Sequence, residues 1–328
     1  MAPSCTAILS DPLIDGITPI LSAPRMGVLF LGENIMTPPA SRQELAQWLQ
    51  QPFQSHADAF SDEQLNKLRE RIEELVNYEA AVGLMGKSGA GKSSLCNALF
   101  GQDVAEVDDV APCTVGASEY TLAYQNGKGI SLIDLPGVGE RQDKEATYAK
   151  QYQEILPELD LVLWLIKADD RALSVDEQCY QRLILPYLIE HDIPLLFVVN
   201  QVDKIEPCRE WDFSRSMPGP QQLTNISRKQ FQVSQLFNVP LTQIFITSAV
   251  EGYGLQILIE QIIHRLPKEK KWSVTRETRA EYVTPAMQRE SIGGLWDTIK
   301  EAAKTILRET WTTISSRVEN WFSKLFGW

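Results

Sequence analysis

The sequence predicts an α/β fold: a doubly wound, mostly parallel sheet with helical extensions at its N- and C-terminal ends. Three observations predict it. From Ala80 onward, short apolar runs alternate with helical stretches, as in a sheet covered by helices on both faces. A glycine-rich turn follows the first of those runs and opens into a helix. Helix-capping signals precede this region, and a long apolar stripe at helical spacing follows it.

Residues 1–40 are rich in Pro, Gly and Ser without a sustained period and read as an irregular leader. In the helical segment 41–79, Ser41-Arg42-Gln43-Glu44 and Ser61-Asp62-Glu63-Gln64 each have the form of a capping box, in which a hydroxyl and a later carboxylate or amide satisfy free helix-end groups. The second helix puts Leu65, Leu68, Ile72 and Leu75 on one face. In the α/β domain, 80–267, strands are expected at Ala80–Met85, Ser118–Tyr124, Ile130–Ile133, Leu161–Ile166, Pro194–Val199 and Ile244–Thr247. Between the fourth and fifth, another capping box, Ser174-Val175-Asp176-Glu177, opens a helix that Pro186 kinks or ends.

The remainder, 268–328, begins with a basic cluster, Lys268, Lys270, Lys271, Arg276 and Arg279, read as a solvated linker. Beyond it Ile292, Leu295, Ile299, Ala302, Ile306, Ile314, Val318, Trp321 and Leu325 form one apolar stripe, widened by Trp296, Trp311, Phe322, Phe326 and Trp328. Two coverings suit such a stripe. One is the α/β domain or the Leu65–Leu75 helix; the other is a membrane surface or a partner. Its lysines and arginines are nearly balanced by acids, which makes any membrane contact weak.

Composition narrows the function. A net charge of −12 argues against a broad nucleic-acid-binding surface. Five scattered cysteines without a C-x-x-C pair suggest neither a disulfide framework nor a zinc site, and a reducing cytoplasm is the simplest compartment. Pro3, Asp11 and Pro12 interrupt any signal-peptide pattern, and the most apolar run, Leu161–Ile166, is too short to span a bilayer.

The chemistry lies in four short motifs. Gly86-Lys87-Ser88-Gly89-Ala90-Gly91-Lys92-Ser93 satisfies G-x-x-x-x-G-K-[ST] between a strand and a helix. Its glycines allow the backbone to wrap phosphates with N–H groups, so this loop and Ser94 after it are expected to bind nucleotide. Lys92 should reach the β- and γ-phosphates, and the Ser93 hydroxyl is a hard oxygen ligand for Mg²⁺. Asp134-Leu135-Pro136-Gly137 supplies a carboxylate for the metal's water shell and an amide that senses the γ-phosphate. Asn200-Gln201-Val202-Asp203 ends the fifth strand, where doubly wound sheets bind ligands. Guanine presents N1–H and N2–H₂ donors where adenine does not, so the Asp203 carboxylate selects guanine. Ser248 and Ala249, after the last strand, would complete the base pocket with a backbone N–H.

These residues resemble the GTPases of the Era/HSR1 class, most closely the YeeP/YfjP-like GTP-binding proteins of prophages, over Ala80 to Leu266. The resemblance implies a G domain that binds GTP and GDP with Mg²⁺, hydrolyses GTP, and acts as a nucleotide-dependent switch on a protein effector. It also implies a switch threonine, Thr114, joining Ser93 and Asp134 at the metal, with Lys92, Thr114 and Gly137 as the catalytic set. Three residues depart from the pattern. Gln201 replaces a lysine whose stem packs on the base and steadies the phosphate loop, which predicts modest affinity. Gly89 replaces the asparagine of potassium-activated members. Val138 stands where a glutamine would orient water, which predicts slow turnover unless a partner, a second copy in a homodimer, or Arg141 supplies the missing group. A dynamin-like GTPase, self-assembling or membrane-associated through its terminal helices, is the alternative; an ATPase with a degenerate base site is a third reading. The expected location is the cytoplasm, with peripheral membrane contact through the C-terminal helix.

Overall fold

The structure is a computed structural model that describes residues 41–101, 118–121, 131–134 and 152–326, all within a compact unit running from Thr37 to Trp328. The leader, Thr114, Gly137, Val138 and Arg141 lie outside the described residues.

Among the described residues six strands form one sheet: β1 (Ala81–Met85), β2 (Ser118–Thr121), β3 (Ser131–Asp134), β4 (Leu161–Lys167), β5 (Leu195–Asn200) and β6 (Ile244–Ile246). Their order is β2-β3-β1-β4-β5-β6. Only the β2–β3 pairing is antiparallel. Because β3 and β4 lie on opposite sides of β1, a crevice opens past their C-terminal ends.

The central strands β1, β4 and β5 read as almost unbroken apolar runs because both faces are buried. Leu161, Leu163 and Leu165 enter one core, whereas Val162, Trp164 and Ile166 enter the other. The first core is closed by α3 (Lys92–Phe100) and α7 (Leu255–Arg265). The second is closed by α4 (Ser174–Cys179), a π-helical turn (Tyr180–Ile184), α5 (Leu185–Glu190) and α6 (Pro220–Phe237).

Two local expectations around this helix need correction. Ser174 does not cap α4: the cap position is Leu173, with no side-chain bond, because the buried Leu173 brings the helix start forward and its carbonyl accepts the Glu177 amide. Pro186 neither ends nor breaks the run. The preceding turn widens instead, with the Leu185 amide bonding the Tyr180 carbonyl five residues back.

At the N-terminal end, α1 (Arg42–Gln54) is capped by Ser41, whose hydroxyl accepts the Glu44 amide at 3.1 Å. Both arms of the box at Ser61 and Gln64 form, opening α2 (Asp62–Val76). Leu68, Ile72 and Leu75 then pack on the last helical element, α9 (Pro285–Phe326), as do Leu45, Trp48, Leu49 and Phe53 of α1. Among the described residues no helix is long and apolar enough to cross a membrane.

Up to Phe322 the stripe on α9 is therefore covered from within the chain, but not as a single straight face; Trp328 lies outside the described residues. Trp296 stacks on Phe322 with centroids 4.5 Å apart. Along a straight helix those residues would be separated by about 39 Å, so the element doubles back between them and its two arms complete a bundle with α1 and α2. The buried positions also shift by one in the middle: Ala303 and Leu307, rather than Ala302 and Ile306, are fully enclosed.

The basic cluster is not a solvated linker. α8 (Lys271–Glu277) inserts Trp272 into the bundle core and Val274 into the sheet core. Lys270 pairs with Asp160, whose Oδ2 also accepts the Ala81 amide and the Tyr78 hydroxyl, each at 2.9 Å. Burial pulls Lys270 down, but Asp160 and Tyr78 outweigh it and hold the ammonium above the ordinary lysine value. The Ser273 hydroxyl accepts the Ala80 amide at 2.8 Å, and Arg276 donates to the Val76 carbonyl at 2.9 Å. These bonds lock α8 onto the N-terminal end of β1.

Candidate nucleotide site

The loop after β1 is seated at both ends by glycines with little room for a side chain. Gly86 has φ 138°, and a Cβ there would lie 2.3 Å from the Leu165 carbonyl of β4. Gly91 has φ 88°, and its Cβ would meet Asn200 Nδ2 at 2.5 Å. Between them Gly89 also has a left-handed backbone, φ 76°, although a Cβ there would meet open space. Lys92 begins α3 and folds back over the loop, donating to the Gly86 carbonyl at 3.0 Å. Ser93 and Ser94 follow in the first helical turn, partly exposed. The Lys87 side chain points elsewhere, to Asp170 and Asp176 beyond β4.

Asn200, fully buried at the end of β5, joins three segments. Its Nδ2 donates to the Ala90 carbonyl at 3.1 Å, and its Oδ1 accepts the Thr247 hydroxyl and the Ala249 amide, both at 3.2 Å. The amide expected to face a base is thus engaged by Asn200. Asp203 Oδ1 accepts the Ser248 hydroxyl at 2.6 Å, and Ser248 Oγ accepts the Glu251 amide at 3.3 Å. That orients the carboxylate and leaves its second oxygen out of this pair.

Gln201 corrects the expectation that the phosphate loop loses its support. Held at φ 64°, it donates through Nε2 to the Gly89 carbonyl at 2.8 Å, while Lys204 Nζ donates to its Oε1 at 2.8 Å. An amide takes over the tether, oriented by a lysine three residues on. The lysine directly after the Asn200–Asp203 motif was the available signal for it. Asp134 ends β3 opposite Leu84 of β1, so the backbone delivers this residue to the same sheet edge as the loop.

Arg279, expected in a solvated linker, and Tyr282, which the sequence did not single out, border this region instead. With Ser94, Asn97, Ala249 and Gly252 they line a cavity of about 660 Å³ next to the loop helix. The Arg279 amide anchors this wall on the Leu99 carbonyl at 2.9 Å.

A glycine-seated anion loop, an asparagine bracket and an oriented carboxylate at one edge of a doubly wound sheet define a P-loop nucleotide-binding protein. Residues 81–201 match the 50S ribosome-binding GTPase family. The chain is 40% identical over 233 residues to the uncharacterized protein YkfA of Escherichia coli K12, covering 71% of this chain and 78% of that one. It is 37% identical over 257 residues to YfjP of the same organism, covering 76% and 86%. GTPase Era of Thermoanaerobacter sp. is 24% identical over 192 residues, 58% of this chain and 56% of that protein. Among solved structures, Era of Aquifex aeolicus bound to GDP and AlF₄⁻ is 25% identical over 57% of this chain and 56% of that chain, with a TM-score of 0.42. This chain belongs to the family of YkfA and YfjP and, with a GTPase domain over residues 81–201, is a GTP hydrolase.

Proposed function

We propose that this chain is a guanine-nucleotide switch: GTP holds the segments around Thr114 and Gly137, and hydrolysis releases them to change affinity for a protein effector. The observation that carries guanine selection is the Ser248–Asp203 bond of 2.6 Å beside the Asn200 bracket. It aims a carboxylate where a purine edge meets the last two strand ends. Gly86–Gly91 cradle the phosphates through their amides, Lys92 exchanges the Gly86 carbonyl for phosphate oxygens, and Ser94 and Ala249 border the nucleoside.

A magnesium ion fits the donor types here, since the Ser93 hydroxyl and an aspartate at position 134 are hard oxygen ligands on the same edge. Thr114 joins them in this reading. The ion would neutralise phosphate charge during transfer. Turnover is slow because Val138 cannot orient water, and the missing group comes from a partner or a second copy of the chain. The protein works in the cytoplasm. Burial of the α9 stripe against α1 and α2 supports this reading over membrane assembly.

Asp203→Asn tests the reading. It reverses the hydrogen-bonding sense facing N1 and N2 and should exchange GTP preference for xanthosine triphosphate by about a thousandfold in relative affinity. Equal GTP binding by the variant, or ATP competing as well as GTP against the unaltered protein, would defeat it.

A further inference from the structure

We propose that Lys87 is a positioning residue: its ammonium ties the phosphate loop to the β4–α4 connection and imposes the loop's shape before nucleotide arrives. The proposal rests on the loop being the phosphate site of the function above.

Lys87 is the second residue of the loop, yet its side chain leaves the cradle. Its Nζ donates to Asp170 Oδ2 at 2.9 Å and to the Ala172 carbonyl at 2.5 Å, and lies 2.7 Å from Asp176 Oδ2. Two carboxylates and a carbonyl surround one ammonium. Asp176 is only 2% exposed, and a carboxylate so enclosed needs a cation at hand. Burial pushes its carboxyl above the ordinary aspartate value, and Lys87 opposes that rise.

The anchor is itself held from behind. Asp170 Oδ1 accepts the Ala172 amide at 2.8 Å, and its carbonyl accepts the ammonium of Lys229, a buried lysine of α6. Asp169, also nearby, pairs with Lys167. Lys87 therefore reaches a rigid point rather than a free surface loop.

On the far side, Gln201 and Asn200 hold the carbonyls of Gly89 and Ala90. The loop is clamped from β4 at position 87 and from β5 at positions 89 and 90. Clamping matters because amides that converge on one point repel each other's partial positive charges, so the cradle is not the shape a free loop prefers. A loop ordered in advance loses less entropy when phosphate binds.

The test uses the full chain with Lys87→Met, Lys87→Arg, Asp176→Asn and the Met/Asn double variant. Two readouts apply: kcat and KM for GTP with GTP and GDP affinity, and hydrogen exchange of the 86–91 amides without nucleotide. Lys87→Met should raise KM and both dissociation constants about tenfold, with kcat within about twofold, and should speed exchange in the loop while β4 and β5 stay protected. Lys87→Arg should restore most of the affinity. Asp176→Asn should reproduce the loss, and the double variant should be no worse than either single one.

Unchanged affinity and exchange in Lys87→Met would overturn the proposal. So would a collapse of kcat at constant KM, which would place the ammonium on the reacting phosphate. A folded Asp176→Asn that binds normally would also refute it. Failure of the unaltered protein to bind GTP would refute the proposed function instead, while the exchange comparison would still decide the tether.

Discussion

The two edges of the central sheet are built by opposite means. At the C-terminal edge, backbone is held in left-handed conformations by glycines and Gln201, and carbonyls of the phosphate loop are taken up one at a time by Lys92, Asn200 and Gln201. At the N-terminal edge, Asp160 gathers the Ala81 amide, the Tyr78 hydroxyl and Lys270 into one buried knot. The first keeps polar groups aimed at a shared point and open to exchange; the second satisfies every partner at once. On the proposed function, binding belongs to the former and stability to the latter.

That division can be broken from either side. The largest effect is expected at the knot, where Asp160→Ala strands the Ala81 amide and Lys270 and should lower unfolding free energy by about 3 kcal/mol in denaturant titration, with GTP affinity within about threefold. A matching loss of affinity would show that the edges are not separable. Gly91→Ala is next: its new methyl drives into Asn200 and should weaken GTP binding by about a hundredfold in equilibrium dialysis, at a stability cost of about 1–2 kcal/mol. Full binding with an alanine there would mean that the bracket around Asn200 is soft. The smallest change comes from Ser248→Ala, which frees Asp203 to rotate and should cost about 1 kcal/mol of GTP affinity. Guanine preference should narrow with it, and calorimetry against xanthosine triphosphate would reveal whether it does.

The sheet and its loops are legible in the sequence because their causes are local. A run such as Leu161–Ile166, apolar at every position, has both faces to bury, and only glycine tolerates the backbone of Gly86 and Gly91. What the sequence conceals are choices made across distance. Nothing near Lys87 marks Asp176, and nothing near Lys270 marks Asp160, 110 residues away. A basic cluster looks solvated until its carboxylates are found. The α9 stripe failed differently: its spacing is right for a helix, but periodicity carries no sign that the helix reverses, and reversal is what brings Trp296 against Phe322. Gln201 looked like a loss because a family pattern names the residue type rather than the bond it makes.

The bundle has a consequence for how the chain is made. Its four helical arms lie on either side of the sheet along the polypeptide, and the Arg42–Glu277 pair that ties α1 to α8 joins residues 235 apart. α1 and α2 leave the ribosome before the sheet with Trp48, Leu49, Ile72 and Leu75 uncovered, and their cover on α9 is translated only after it. Until α9 is made those faces lack its cover, so nascent chains arrested before α9 should be the species that chaperones hold and proteases cut.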